Sequence, residues 1–294
     1  MSQKVNDPSL VTTSPTLFSA VVKLTALEDG LLPRTSGRLV NGAFLDILRT
    51  IDPNLSQQLH DWDGQKPYTV SPLRTRGRAK NGHLHVRAGQ PASLRFTLLS
   101  DHIFTTLMHS LLSPLQQRPT EGPTLRLGEV AFGLTEFLTT PGSDPWAGYA
   151  DLPGLQAKVG ATETMTVEFA SPTAFSLGKK GEAKRMELFP TPGLFFGSLA
   201  RRWADCLPPE LDPDAVQAYA EQAVVVSRYR MESQVYYLWQ SPQLGGQGQV
   251  TYRLPADDEP RLARLLNLLV DLGFYSGVGA KTAFGMGQMR RLAA

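Results

Sequence analysis

Hydrophobic and polar positions along the chain follow one order twice. LFSAVVKLTAL (17 to 27) is rich in apolar and β-branched residues and predicts a strand, whereas SGRLVNGAFLDILRT (36 to 50) carries Leu39, Phe44, Leu45 and Leu48 at helical spacing. YTVSPLRT, HLHVRAG and SLRFTLLS predict short strands. An amphipathic helix follows, with Asp101 as its cap and Ile103, Phe104, Leu107, Leu111 and Leu112 on its core face, and TLRLGEVAFGLTEFL returns as strand.

The second pass opens with MTVEFASPTAF as strand and LFFGSLARRWADCL as helix, preceded by Pro190, Pro192 and Gly193. AVVVSRYRMESQVYYLWQ and GQVTYRL predict a hairpin that turns through the Gly-rich SPQLGGQGQ. Glu259 to Gly273 reads as helix, with Leu262, Leu265, Leu266, Leu269 and Leu272 inward, and GMGQMRRL as the closing strand. The expected fold class is α+β: two tandem ferredoxin-like (RRM-like, βαββαβ) domains, each an antiparallel sheet with helices on one face. Expected bounds are residues 1–150 and 151–294, with a turn-rich linker, TTPGSDPWAG, in the stretch 140–163.

Composition narrows the chemistry. A chain of 294 residues has room for two such domains. One cysteine, Cys206, excludes an intramolecular disulfide and a multi-cysteine zinc site. Charges interrupt the most apolar stretches, VVKLTAL and LARLLNLLVDLGF, well short of a membrane span, and no signal-peptide pattern is present, so a cytoplasmic protein without membrane association is expected. Neither HExxH nor a carboxylate cluster at ligand spacing occurs, which leads us to expect no metal and no cofactor. The net charge of +2 says little, but its distribution says more. RTRGRAK, with Arg74, Arg76 and Arg78, and GKKGEAKR, with Lys179 and Lys180, read either as loops that contact phosphates or as solvated surface.

Four glycines fall within eleven positions of FYSGVGAKTAFGMGQM (274 to 289), where Gly277, Gly279, Gly285 and Gly287 surround Lys281. A Rossmann fingerprint needs a strand before its glycines and a helix after them; here the expected order is reversed, and the P-loop's Lys-Ser/Thr ending is missing too. Two readings stay open. The turn presents backbone N–H groups and Lys281 to the phosphates of a polymer, or its glycines let the chain pass close to the sheet.

FYSGVGAKTAFGMGQ resembles the C-terminal glycine-rich signature of the RAMP superfamily, in particular of the CRISPR-associated endoribonucleases that process precursor crRNA. LHDWDGQKPYTVSPL (59 to 73), EFASPTAFS (168 to 176) and PTPGLFFGSLARRWAD (190 to 205) fit the same family in the same order. The resemblance implies the double ferredoxin-like fold, and metal-independent cleavage of CRISPR repeat RNA that leaves a 2′,3′-cyclic phosphate and a 5′-hydroxyl. The precursor crRNA repeat is then the partner, together with a CRISPR effector complex. It also implies that the glycine-rich stretch, the two basic clusters and Arg201 and Arg202 hold RNA by its backbone. The alternative is a non-catalytic RAMP subunit that binds crRNA within an effector.

Such cleavage needs a base near the 2′-OH, an acid at the leaving 5′-oxygen and positive charge at the phosphorane. Of the five histidines, His60 stands where the family carries its histidine, and Lys66 is the implied phosphate stabiliser. Some members add a tyrosine in the first helix; residues 36 to 60 contain none, which leaves Tyr68 as a substitute. IDPNLSQQLHD reads as a short helix with Asp52 at the N-cap and Pro53 at its first position, so His60 falls in the last turn beside Asp61, a place that suits an acid. A histidine there can equally cap the helix. His83 and His85 share one face of a strand without a third ligand in sequence; His109 follows an apolar pattern and is expected to be partly buried; His102 falls in the first turn of its helix.

Overall fold

The computed structural model describes residues 16–293 apart from 77, 81, 118–121, 181–182, 205–211, 239–240 and 256–259; Cys206 lies outside the described residues. The chain divides into two compact units, Met1–Ala150 with Ala283–Gly285, and Asp151–Thr282 with Met286–Ala294.

In the first unit, β1 (Thr16–Ala26) and β2 (Gly30–Pro33) lead into α1 (Gly37–Arg49) and α2 (Pro53–Asp61). Next come β3 (Tyr68–Val70), β4 (Arg74–Thr75), β5 (Arg78–Lys80), β6 (His83–Val86), β7 (Pro91–Leu98) and α3 (Asp101–Gln117). β8 (Thr124–Leu127), β9 (Val130–Leu138) and β10 (Gly148–Asp151) complete the sheet. Its antiparallel path runs β3-β7-β1-β9-β8, which places the third strand of a βαββαβ unit beside the first, the second outside the third, and the fourth on the first strand's other side. Alternation in β1 sends Val22, Leu24 and Ala26 toward α1, α2 and α3, where Val40, Phe44, Leu48, Leu55, Leu59, Ile103 and Leu107 close the core. Burying one side chain such as Phe44, fully enclosed here, stabilises the fold by about 1.5–3 kcal/mol.

The opposite face of that sheet is polar, yet much of it is covered. Arg95 of β7 is buried, its Nε donating to Ser19 Oγ (2.8 Å) and to the Trp146 carbonyl (3.2 Å). The Trp146 ring receives two guanidinium groups, Arg95 at 4.8 Å and Arg74 at 4.9 Å from its centroid. Lys23 pairs with Asp144 at 2.5 Å. Burial works against ionisation of that carboxylate, but bonds from Lys23 and from the Trp146 N–H outweigh it and hold Asp144 below the usual carboxylate range. The stretch expected to be a free linker is therefore fastened to the first sheet by Asp144 and Trp146.

The second unit repeats the plan. It comprises α4 (Leu152–Lys158), β11 (Thr164–Thr173), β12 (Phe175–Lys180), β13 (Ala183–Glu187), α5 (Pro192–Trp203), α6 (Pro213–Ala223), β14 (Val225–Leu238), β15 (Ser241–Arg253), α7 (Pro260–Ser276) and β16 (Met289–Arg291). Its sheet runs β14-β15-β11-β16, again second, third, first and fourth. Tyr252 of β15 stacks on Phe195 of α5 with ring centroids 4.9 Å apart, and its hydroxyl donates to the Pro190 carbonyl at 2.7 Å.

Several local expectations are corrected. TLRLGEVAFGLTEFL is two strands, not one, turning at Gly128, whose φ of 58° permits the reversal. SPQLGGQGQ is not the hairpin turn but part of β15: a side chain at Gly246 would meet the Leu188 carbonyl at 2.4 Å, so glycine marks close backbone packing. The Phe104 N–H bonds the Ser100 carbonyl, which moves the α3 cap from Asp101 to Ser100. His109 is exposed rather than partly buried.

Candidate functional site

α2 carries His60 on a helix built from short-range signals. The Asp52 carboxylate accepts from the Leu55 N–H at 2.9 Å, Pro53 occupies the first turn, and Leu55 and Leu59 anchor the buried face. Ser56 Oγ adds a bond to the Leu45 carbonyl of α1 (2.9 Å). His60 therefore points outward from a fixed helix: its side chain is 69% exposed, and Nδ1 lies 3.2 Å from Asp61 Oδ1. Asp61 is itself held through Oδ2 by Gln57 Nε2 at 2.7 Å.

Lys66 stands at the same helix end. Its ammonium donates to the Leu59 carbonyl, to the His60 carbonyl (3.0 Å) and to the Trp62 carbonyl (3.3 Å). These are the carbonyls a helix terminus leaves without intrahelical partners, so Lys66, rather than the imidazole, caps α2.

Tyr68, the substitute expected for the family's tyrosine, lies in the core and not at the surface beside His60. It is 0% exposed, its ring packs on Phe44 at 4.6 Å, and its hydroxyl accepts from Asn41 Nδ2 at 2.9 Å. Burial pushes the phenol well above its ordinary range, only partly offset by the Asn41 bond. The same Asn41 amide donates to the Ala283 carbonyl at 2.9 Å, and Ala283 is buried in the first unit's core.

The glycine-rich stretch is mostly interior. Gly277, Gly285 and Gly287 are buried and Gly279 half-buried, all with positive φ. A Cβ at Gly287 would lie 2.1 Å from the Val278 carbonyl, and one at Gly279 would lie 2.6 Å from the Ala174 carbonyl. Backbone donors turn inward: Val278 N–H bonds Gly287 O, Ala280 N–H bonds Ala174 O, Gly287 N–H bonds Pro172 O, and Gly279 N–H bonds Ser198 Oγ. Of the two open readings, close passage explains these glycines and their amides. Lys281 stands apart, exposed and at φ 62°, a left-handed conformation rare for lysine.

The basic residues divide. Arg74 and Arg76 are exposed, Arg74 over Trp146; Arg78 pairs in register with His85, its side chain outside the described set. Lys179 and Lys180 lie in β12 of a two-stranded hairpin, not in a loop, and their side chains are likewise not described. Arg201 donates to Asp214 (3.2 Å) and Gln217 (2.9 Å), tying α5 to α6, and Arg202 is half-buried beside it. His83 and His85 are exposed on β6, and His102 lies 3.4 Å from Asp52. Among the described residues no three His, Cys, Asp or Glu side chains form a metal-binding group, and no helix is long and apolar enough to cross a membrane. Sequence reasoning missed Asn41, Asp144 and Trp146; the Asn at an inward helical position was the one readable signal.

Two units of identical strand order, with a glycine-rich turn ahead of the final strand, define a tandem ferredoxin-like protein of the RAMP type. The family model for the CRISPR Cas6 N-terminal domain matches residues 17–155, and that for the CRISPR-associated endoribonuclease Cas6 matches residues 167–289. The chain belongs to the Cas6 family. A CRISPR-associated endoribonuclease Cas6 of Mycobacterium tuberculosis is 30% identical over 129 residues, 44% of this chain and 39% of that protein. One of Streptococcus thermophilus is 25% identical over 127 residues, 42% of this chain and 49% of that protein. The alignments thus span less than half the length of these curated relatives. The product complex of the Thermus thermophilus Cas6 protein TTHB231 has a TM-score of 0.77 at 28% identity, covering 94% of this chain and 100% of that one.

Proposed function

We propose that this protein is an endoribonuclease that cleaves CRISPR repeat RNA within precursor crRNA to give mature crRNA, which it passes to an effector complex. The 2′-OH attacks the adjacent phosphorus and gives its proton to solvent water, the P–O5′ bond breaks, and the products are a 2′,3′-cyclic phosphate and a 5′-hydroxyl, with no divalent ion required. His60 delivers the proton to the departing O5′. In the protonated ring Nδ1–H stays with the Asp61 carboxylate and Nε2–H is the proton transferred. Lys66 fixes the turn that carries His60, and its charge beside that turn stabilises the phosphorane. Lys281, Arg74, Arg76, Arg78, Lys179 and Lys180 contact the RNA backbone, and Arg201 and Arg202 contribute from the end of α5.

The observation that carries this reading is the exposed His60 at the end of a helix capped at both termini, with a carboxylate on Nδ1. Membership of the Cas6 family and the likeness to a Cas6 product complex support the substrate class. A second reading, a crRNA-binding subunit without catalysis, draws on the engagement of Lys66 by three carbonyls and the burial of Tyr68. Incubating the protein with repeat RNA in EDTA and mapping the ends separates the two. A cyclic phosphate at one position, abolished by a 2′-deoxy substitution there, is expected; uncut RNA supports the second reading, and a cut deoxy substrate overturns internal attack.

A further inference from the structure

Trp62 ends α2, two positions after His60; there the backbone leaves the helix, at φ −52° and ψ 123°. Its ring is held twice. It packs against the core of the first unit, and its indole Nε1–H donates to the Gln65 carbonyl at 3.1 Å. The turn that carries it is tied as well: the Gly64 N–H bonds Asp63 Oδ1 at 2.9 Å, and the Trp62 carbonyl accepts from the Lys66 ammonium at 3.3 Å.

Of the three tryptophans among the described residues, Trp146 and Trp203 are buried, and Trp62 alone is half-buried. With its ring N–H and its carbonyl both bonded, what Trp62 presents to solvent is chiefly aromatic carbon. Every nucleobase has a π-face that stacks on such a ring whatever its sequence, and unpaired RNA bases are commonly received this way. A ring already immobile loses little entropy on receiving one. We propose that Trp62 is the stacking platform for a base flanking the scissile phosphate. This role rests on the cleavage proposed for His60. A base seated on Trp62 fixes its own ribose, and so helps to set the 2′-oxygen, the phosphorus and O5′ in line at the imidazole. Stacking reads the presence of a base and not its identity, so the position tolerates any of the four bases.

The test is single-turnover cleavage, below saturating protein and in EDTA, by wild type, Trp62→Ala and Trp62→Phe. The substrates are the intact repeat RNA and two versions with an abasic ribose, one at each nucleotide flanking the cut, so that the attacking 2′-OH is kept. Wild type is expected to cut one abasic RNA about tenfold more slowly than the intact RNA, as for the loss of one stacked base, and to tolerate exchange of that base for any other. Trp62→Ala is expected to cut the intact RNA about tenfold more slowly, but that abasic RNA as fast as wild type does, and Trp62→Phe to keep most of the wild-type rate. A variant whose fold is disturbed slows both RNAs alike, and that result overturns the proposal. So does a wild type indifferent to both abasic positions; in either case cleavage of the intact RNA leaves the reading of His60 standing. Wild type that leaves the intact RNA uncut overturns both.

Discussion

The end of α2 and the glycine-rich stretch before β16 carry the two motifs most conspicuous in sequence, and the fold uses them in opposite ways. At α2 the backbone is satisfied by side chains, Asp52 at one terminus and Lys66 at the other, which leaves His60 outside and available. At residues 277–287 the backbone is satisfied mainly by backbone, with Ser198 Oγ accepting from the Gly279 N–H, and the glycines are needed because carbonyls approach where a Cβ would sit. A glycine signature at this distance from solvent reports packing geometry. The single side chain displayed from it, Lys281, is the part suited to a ligand.

This contrast can be broken most forcefully at Gly287. Gly287→Ala places a methyl group 2.1 Å from the Val278 carbonyl at a φ of 70°, and a loss of more than about 3 kcal/mol is expected in denaturant unfolding. Near-native stability would show that the stretch yields easily and is no packing element. Lys66→Met should cost about 1–2 kcal/mol through the lost cap, and should slow single-turnover cleavage without altering the salt dependence of RNA binding. A reduced salt slope with unchanged stability would return Lys66 to a direct phosphate contact.

Tyr68→Phe sharpens the comparison from inside the core. It should cost about 1 kcal/mol, because Asn41 retains the Ala283 carbonyl as an acceptor, and leave the rate of the chemical step unchanged. The phenol of Tyr68 is raised in the folded state, so its contribution is intact below the unfolded value near pH 10 and falls away as pH rises above it. The variant should therefore lose less stability than wild type above about pH 10, by a part only, since Tyr252 is raised as well. Slower cleavage by Tyr68→Phe would contradict its placement as a core residue. The smallest effect belongs to Lys281→Ala, which should reduce the salt slope of RNA binding by about 0.7–0.9, as expected for one lost phosphate contact, with stability unchanged. An unchanged slope removes Lys281 from the RNA footprint.

What could be read from the sequence follows the range of the interactions involved. α2 was legible to the residue because Asp52, Pro53 and the Leu55/Leu59 face act within one or two turns. The tandem βαββαβ order was legible because burial repeats along each element. The role of SPQLGGQGQ was not, since its glycines answer to Leu188 and Arg230, which are remote in sequence. TTPGSDPWAG likewise reads as a linker until the guanidinium groups of Arg74 and Arg95 are seen over the Trp146 ring. α6 was missed although Asp212 and Pro213 announce it, with the Asp212 carboxylate accepting from the Asp214 N–H; here the signal was local and simply passed over. Lys66 shows the intermediate case. Its spacing from His60 was visible, but its carbonyl partners became visible only with the turn folded.

The most direct test of the account is His60→Ala, measured at saturating protein with repeat RNA, alongside the RNA dissociation constant and the thermal midpoint. The account predicts single-turnover cleavage slower by roughly 10²- to 10⁴-fold, with RNA affinity and stability close to wild type, because the side chain is exposed and the helix end is capped by Lys66. Cleavage at the wild-type rate would contradict it and turn attention to His83 and His85.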